Sequence, residues 1–426
     1  TRKESSAASD VYKRQAMSEA RAGALQGLKV VDLTRVLAGP LCTQMLADHG
    51  AEVVKVEPPS GDETRKLLPP VTPSRQSAYF SALNRGKQSI SLDLSTPEGQ
   101  DVLHALLSDA DVLVENFVPG TLERWGLGYE QALAARYPAL VFCSISGFGP
   151  DGPLGSLPGY DAVLQAACGL MSINGDAASG PTKLGIPVVD HLTGYVALSG
   201  LLMALRARDR DGQGQRVEVT LYDTAISLLL PHAANWIYSG ECPRPLGSAH
   251  PNIAPYDKIR AADGDVFVGV VNDGQFRRFC AAIGRESLVA DVRFSNNEKR
   301  VTHRTALKSE IESVTGTWPA EGLAQTLMKA GVPAACVNNV AAALNHPHTA
   351  HRELLVHGEG GYTGLRSPMK LMGTPAVPGH APPAFDQDRQ AILARIGASE
   401  RDFRVDVAAA SRESASTREV QEVHMK

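Results

Sequence analysis

A doubly wound, Rossmann-like α/β domain joined to a smaller α+β domain is the fold class predicted by three features of the chain. Short apolar strands alternate with helical stretches from residue 28 to residue 145, the pattern of a parallel sheet covered on both faces. A proline-rich connector (Pro243, Pro245, Pro251, Pro255) then marks a change of character. With 426 residues, 43% of them hydrophobic, the chain can build two separate cores.

Lys29-Val-Val-Asp-Leu33 reads as the first strand, Leu41, Met45 and Leu46 as the inner stripe of a helix ending at Gly50, and Glu52–Glu57 as the second strand. Ser89–Leu94 gives another strand. Thr96-Pro97-Glu98 opens a helix with Thr at the cap and Pro at the first position, and Leu103, Leu106 and Leu107 form its apolar face. Residues 111–117 and 139–145 continue the alternation. Helices are predicted over 161–172, 191–207 and 221–239, with a strand at 216–220. Beyond Gly240, Asp263-Gly264 turns a hairpin into a strand at 265–271. Helices at 274–283, 300–314 and 319–330 and a strand at 334–337 complete the second unit. Residues 358–383 read as a loop and 386–396 as a last short helix.

The domain limits expected from this pattern are 21–225 for the large domain, 226–250 for a linker helix and connector, 251–340 for the small domain and 341–397 for a return segment. Residues 1–20 read as a non-native or disordered leader, with Met17 a natural-looking start, and 398–426 as a disordered tail. A net charge of −4 points to neither nucleic acid nor an anionic membrane as partner. No apolar run approaches a transmembrane length by this reading. Six scattered cysteines without C-x-x-C spacing fit a reduced, cytoplasmic protein.

Two nucleotide signatures are missing. The turn Val36-Leu-Ala-Gly-Pro-Leu-Cys42 has one glycine followed by proline, although Glu57 lies near the spacing of a ribose-binding acid. No Walker A loop occurs. The histidines of His346-Pro-His348-Thr-Ala-His351 suit helix capping as well as zinc, and no metal site is expected. Glu98, Glu115 and Glu123 could act as general acids only if buried, and a solvated face is the better account of Glu98 and Glu123. The run Gly185-Ile-Pro-Val-Val-Asp190 ends abruptly on a carboxylate at the start of a helix. An Asp there is an ordinary N-cap. Free backbone N–H groups at the same place would also hold a developing oxyanion.

Four segments change the weight of that carboxylate: Leu33–Pro40, Val114–Gly120 with Arg124, Gly159-Tyr160-Asp161, and Val188-Val189-Asp190. With "GAEVVKVEPPSGDETR", "NRGKQSISLDL" and "DVLVENFVPGTLERWGLGYE", they resemble the class III coenzyme A transferases, a family that includes alpha-methylacyl-CoA racemases. The resemblance runs over about residues 27–380. It implies that Asp190 is the nucleophile. It also implies that Val36, Leu37, Ala38, Leu92, Asn116 and Phe117 contact the coenzyme, and that Arg124 meets its phosphates, a task suited to a permanent forked cation. A basic residue near the adenine in some relatives is replaced here by Pro58, and the glycine-rich lid of the formyl-CoA branch by Ala249–Tyr256.

A racemase needs two acid/base groups, and the histidine that precedes the matching aspartate in racemase relatives is Tyr160 here, a poor base near neutrality. A transferase needs one carboxylate. The expected activity is therefore transfer of coenzyme A from an acyl-CoA, succinyl-CoA by resemblance, to a dicarboxylate through an aspartyl thioester. Coenzyme A enters as substrate, with no permanently bound cofactor. Arg35, Arg65, Tyr160, Asp161, His250 and Asn252 are candidates for the acid-binding groups. The resemblance further implies an interlocked homodimer. A racemase-type isomerase and a non-catalytic acyl-CoA-binding protein are the alternatives.

Overall fold

The strand Lys29–Asp32 is buried from Val30 onward, with β-branched Val30 and Val31 inside on opposite faces. It is β1 at the centre of a six-stranded sheet. The other strands are β2 (Glu52–Glu57), β3 (Lys87–Ser91), β4 (Val112–Glu115), β5 (Val141–Ser146) and β6 (Arg216–Thr220), in the spatial order β3-β2-β1-β4-β5-β6 and all parallel. The order reverses between β1 and β4, which makes the carboxyl ends of those two strands the topological switch point. This computed structural model describes residues 23–377 and 379–398, so the expected leader and nearly all of the expected tail lie outside the described residues.

The helices that concern the site are α1 (Ala38–Asp48), α2 (Ala78–Leu83), α3 (Pro97–Leu107), α4 (Thr121–Arg124), α5 (Asp161–Ala167), α6 (Val188–Asp211) and α7 (Leu221–Ser227). As expected, Thr96 caps α3 through the N–H of Gly99, with Pro97 in the first turn. Helices α1 and α6 approach closely because Gly194 carries no side chain. A Cβ there would stand 2.8 Å from the Ala38 carbonyl oxygen. The outer strand β3 is closed off by two carboxylates. Asp388 accepts from the Ser89 N–H and Asp386 from the Ser91 N–H, which blunts an edge that would otherwise offer free donors.

The chain divides into two compact units. Among the described residues the larger comprises 23–168, 186–228 and 353–398; the smaller comprises 169–185 and 229–352. The smaller unit thus takes in 169–185, which the sequence pattern had joined to the large domain. It is built on an antiparallel sheet of β7 (Tyr256–Arg260), β8 (Asp265–Gly269) and β9 (Ala334–Cys336). Val266, Val268, Phe279, Phe294, Ile311 and Leu323 form its core.

Beside the helix predicted over 300–314, which is two, Asn297–Thr302 and Arg304–Thr315, three expectations need correction. The helix predicted over 161–172 is two helices, broken at Gly169, whose φ is +84°. The helix predicted over 221–239 is also two, Leu221–Ser227 and His232–Ser239, because Pro231 lacks the N–H a continuing helix needs. Both breaks fall where the chain passes between units. The third concerns α6, which at 24 residues is long and apolar enough to span a membrane by length and composition. No such run was expected. Val189, Ala197, Leu198, Leu201, Ala204 and Leu205 of α6 are buried in the larger unit, so it is the unit's core helix.

Candidate active site

A cavity of about 150 Å³ opens at the switch point, entirely within the larger unit. Residues 35–38 border it after β1, Asn116–Pro119 after β4 and Ile145–Gly147 at the end of β5, with Glu63, 157–160, Asp190 and Leu221 around the rest. Gly147 and Gly159 permit this convergence. A Cβ on Gly147 would fall 2.8 Å from the Gly159 nitrogen, so a side chain there would push residues 157–160 away from β5.

The loop after β1 is strained and tightly held. Val36 sits at φ +68°, a conformation that a β-branched residue keeps only when its surroundings impose it. Arg35 donates its N–H to the Asn116 side-chain oxygen at 2.9 Å, and the Asn116 amide donates back to the Arg35 carbonyl at 2.8 Å. Beneath them, buried Asp32 accepts from Thr34, Thr43 and Lys87. Lys55 donates to the Thr34 carbonyl and pairs with Asp62 at 3.0 Å. Burial alone would raise the Asp32 pKa, but Lys87, Lys55 and the two threonine hydroxyls outweigh it and hold the carboxyl at about 2. The Arg35 guanidinium lies 5.3 Å from the Phe117 ring centre, within cation–π range.

Asp190 is the third residue of α6, inside the first turn rather than at the cap, which is Pro187. The cap's work falls to Asp161. One of its oxygens accepts from the backbone N–H of Val189 at 2.8 Å and of Asp190 at 3.3 Å, and the other accepts from the Gln165 amide at 2.6 Å. The expectation of free N–H groups beside Asp190 is corrected accordingly: the helix start is already satisfied by a buried carboxylate. Burial first, and the Asp161 charge second, push the Asp190 carboxyl up to about 7. Tyr79, on α2, is the neighbour the sequence did not reveal. Its phenol pKa is raised by burial and then by the charges of Asp190 and Asp161. Tyr79 and Asp190 lie far apart in the sequence, so only tertiary packing could have exposed it.

The other predicted residues divide. Arg35, Val36, Leu37, Ala38, Asn116, Phe117, Tyr160 and Asp190 all border the cavity. Asp161 lies directly behind its wall. Leu92 is instead buried in the core beside Ile90 and Leu94. Arg124 ends the four-residue α4, exposed, with its guanidinium donating to Thr121. His250 and Asn252 belong to the smaller unit, where the Asn252 N–H donates to His250 Nδ1 and the imidazole packs edge-on against Tyr256. Arg65 is engaged by Glu57 through two hydrogen bonds and lies 3.6 Å from the Phe80 ring centre. Of the three glutamates, Glu98 and Glu123 are exposed, and Glu115 is buried with its carboxyl pushed up to about 7 by that burial. Glu115 accepts from the Phe117 N–H and so helps set the Asn116-Phe117 corner. His346 caps the short helix Pro347–His351 by accepting from the His348 N–H.

Comparison with known proteins agrees with the fold. The sequence pattern of CoA-transferase family III matches residues 25–389. A succinate–glutarate CoA-transferase of Agrobacterium fabrum is 38% identical over 387 residues, covering 88% of this chain and 96% of the relative. A succinyl-CoA:mesaconate CoA-transferase of Haloarcula hispanica is 39% identical, covering 90% and 99%. The crystal structure of a CAIB/BAIF family protein from Brucella suis superposes with a TM-score of 0.81 at 39% identity, covering 88% of this chain and all of that one. Matched over nearly its whole described length, the chain belongs to CoA-transferase family III and is an enzyme that moves coenzyme A between acyl-CoA thioesters and carboxylates.

Proposed function

We propose that this enzyme takes coenzyme A from succinyl-CoA and passes it to a dicarboxylic acid through a thioester on Asp190. The observation that carries the reading is the half-buried Asp190 carboxylate lining the switch-point cavity, with no cation to neutralise it among the groups that shift it. An Asp190 oxygen attacks the donor thioester carbonyl, the C–S bond breaks, and the thiolate leaves with the electron pair. The thiolate then attacks the Asp190 acyl carbon. A new C–S bond forms, the anhydride C–O bond breaks, and the donor acid departs as carboxylate. The acceptor carboxylate repeats both steps in reverse. Covalent catalysis of this kind divides one hard exchange into easier ones.

Because Asp161 occupies the N–H groups of α6, the oxyanion donors are assigned elsewhere. The first turn of α1, which has no side-chain cap and whose Ala38 borders the cavity, supplies them in this reading. The coenzyme runs along Val36–Ala38 and Asn116-Phe117, with Arg124 toward its phosphates, and Arg35 and Tyr160 stand nearest the acyl group. The relatives named for succinyl-CoA, glutarate and mesaconate support the choice of donor and acceptor. A homodimer is also proposed, supported by the exposed Trp236, Ile237 and Tyr238 of the smaller unit. So is a cytoplasmic setting, supported by cysteines that are unpaired among the described residues.

The test is incubation with succinyl-CoA and a panel of carboxylates, followed by mass spectrometry of the thioesters and of the intact chain. New acyl-CoA species are expected, together with a coenzyme A adduct on Asp190. Asp190→Ala should abolish both, a loss on the order of 10³-fold or more for a covalent nucleophile. Absence of exchange, with deuterium entering a 2-methylacyl-CoA from heavy water, would instead assign a racemase.

A further inference from the structure

Asp161 holds the turn that carries the Asp190 carboxylate and does not itself line the cavity. It is buried, it accepts three hydrogen bonds, and two of them come from the backbone N–H groups of the first turn that carries Asp190. Helix α6 therefore begins on a carboxylate supplied by a segment remote in sequence, in place of the local cap side chain that Pro187 cannot provide. The titratable and charged groups facing Asp190 are Asp161 from α5 and Tyr79 from α2, with Arg35, Glu63 and Tyr160 around the cavity.

Resting on the proposed aspartyl thioester, we infer that Asp161 is a positioning residue that favours the covalent intermediates by making the free Asp190 carboxylate costly. The carboxylate carries a charge beside another charge. Neither the mixed anhydride nor the aspartyl thioester does, because in both the Asp190 acyl carbon is bonded to a neutral substituent. Formation of either species removes the repulsion, while the two N–H bonds to Asp161 keep the backbone in place throughout. The charge that fixes the nucleophile's position thus also lifts the energy of its unreacted form toward that of the intermediate, a ground-state effect with a specific geometry behind it.

The experiment compares wild type, Asp161→Asn and Asp161→Glu. Each is mixed with succinyl-CoA without acceptor at pH 8, and the ratio of Asp190 adduct to free chain is read by intact mass. Removing a neighbouring like charge shifts a carboxyl by about one pH unit or more. Asp161→Asn should therefore lower the adduct ratio about tenfold and move the acid limb of the kcat/KM profile down by about one pH unit. Asp161→Glu, which restores the charge, should recover both. An unchanged adduct ratio and acid limb in a folded Asp161→Asn protein would overturn the inference. If that variant does not fold, Asp161→Ser, a neutral residue favoured at helix starts, takes its place: the same two decreases support the inference, and an unchanged adduct ratio and acid limb overturn it. Failure of wild type to form any Asp190 adduct is a different result, for it removes the thioester reading itself.

Discussion

Two buried or half-buried aspartates in one unit meet opposite fates. Asp32, at the end of β1, is enclosed by Lys87, Lys55 and two threonine hydroxyls, and its carboxyl is held at about 2. Asp190, at the start of α6, faces a second carboxylate, and its own is pushed up to about 7. Burial penalises both charges. The cations decide which one is made stable and which is left reactive. The first carboxylate acts on backbone: with Lys55 it pins the Thr34 segment and so supports the strained Val36 beyond it. The second borders the cavity and has no cation among the groups that shift it.

The largest effect expected from breaking this contrast is at Asp32. Asp32→Asn leaves Lys87 buried without its partner charge, and removing one member of a buried pair costs about 3–5 kcal/mol. Urea denaturation at pH 7 measures it. The pH dependence has a definite sign. A carboxyl lowered by folding contributes fully above its unfolded value of about 4. That contribution is lost as the pH falls toward about 2. The Asn variant should therefore fall furthest below wild type near neutrality and approach it in acid.

Asp190 should behave in the reverse sense. Its carboxyl is higher in the folded chain than in the unfolded one, so folding holds an extra proton between pH 4 and 7, and stability falls as the pH rises through that window. Asp190→Asn, inactive by the proposed mechanism, should raise the melting temperature at pH 8 and make little difference at pH 4. Equal melting temperatures at pH 8 would mean that the carboxylate is not held at a cost, and the contrast with Asp32 would collapse.

Much of this arrangement was legible in the sequence, for reasons that differ by region. The strands of a parallel sheet are buried on both faces, so Lys29–Asp32 and Val141–Ser146 announce themselves as apolar runs. Asp190 stood out because a carboxylate ended such a run at a helix start. The breaks at Gly169 and Pro231 were missed even though glycine and proline marked them. Apolar spacing continues across each one, and periodicity does not register that the chain is leaving one unit for another. The relation of Asp161 to Asp190 lay deeper still. The two residues are 29 apart, and nothing local distinguishes a carboxylate that caps a remote helix from one that binds substrate. Tyr79 shows the same limit, since only tertiary packing brings α2 to the site. His250 and Asn252, drawn in by resemblance, pair with each other in the smaller unit.

The smallest expected effect concerns the strain that Asp32 helps to hold. Val36 is a β-branched residue at φ +68°, and a conformation of that kind costs on the order of 1–3 kcal/mol. Val36→Gly removes the cost, and adds back about 0.5–1 kcal/mol because glycine loses more freedom on folding. The folded state should therefore gain up to about 2 kcal/mol in urea denaturation. Function should move the other way. The reciprocal Arg35–Asn116 bonds hold one side of Val36, and α1 begins two residues beyond it. A glycine between them lets the cavity wall sample other shapes, so KM for acyl-CoA should rise while the pH at which Asp190 titrates stays put. Stability lost on Val36→Gly would show that the valine is held for its packing. Stability gained together with a higher KM would place the loop after β1 among segments whose strain serves binding, and would set it apart from the first turn of α6, where charge rather than backbone is under tension.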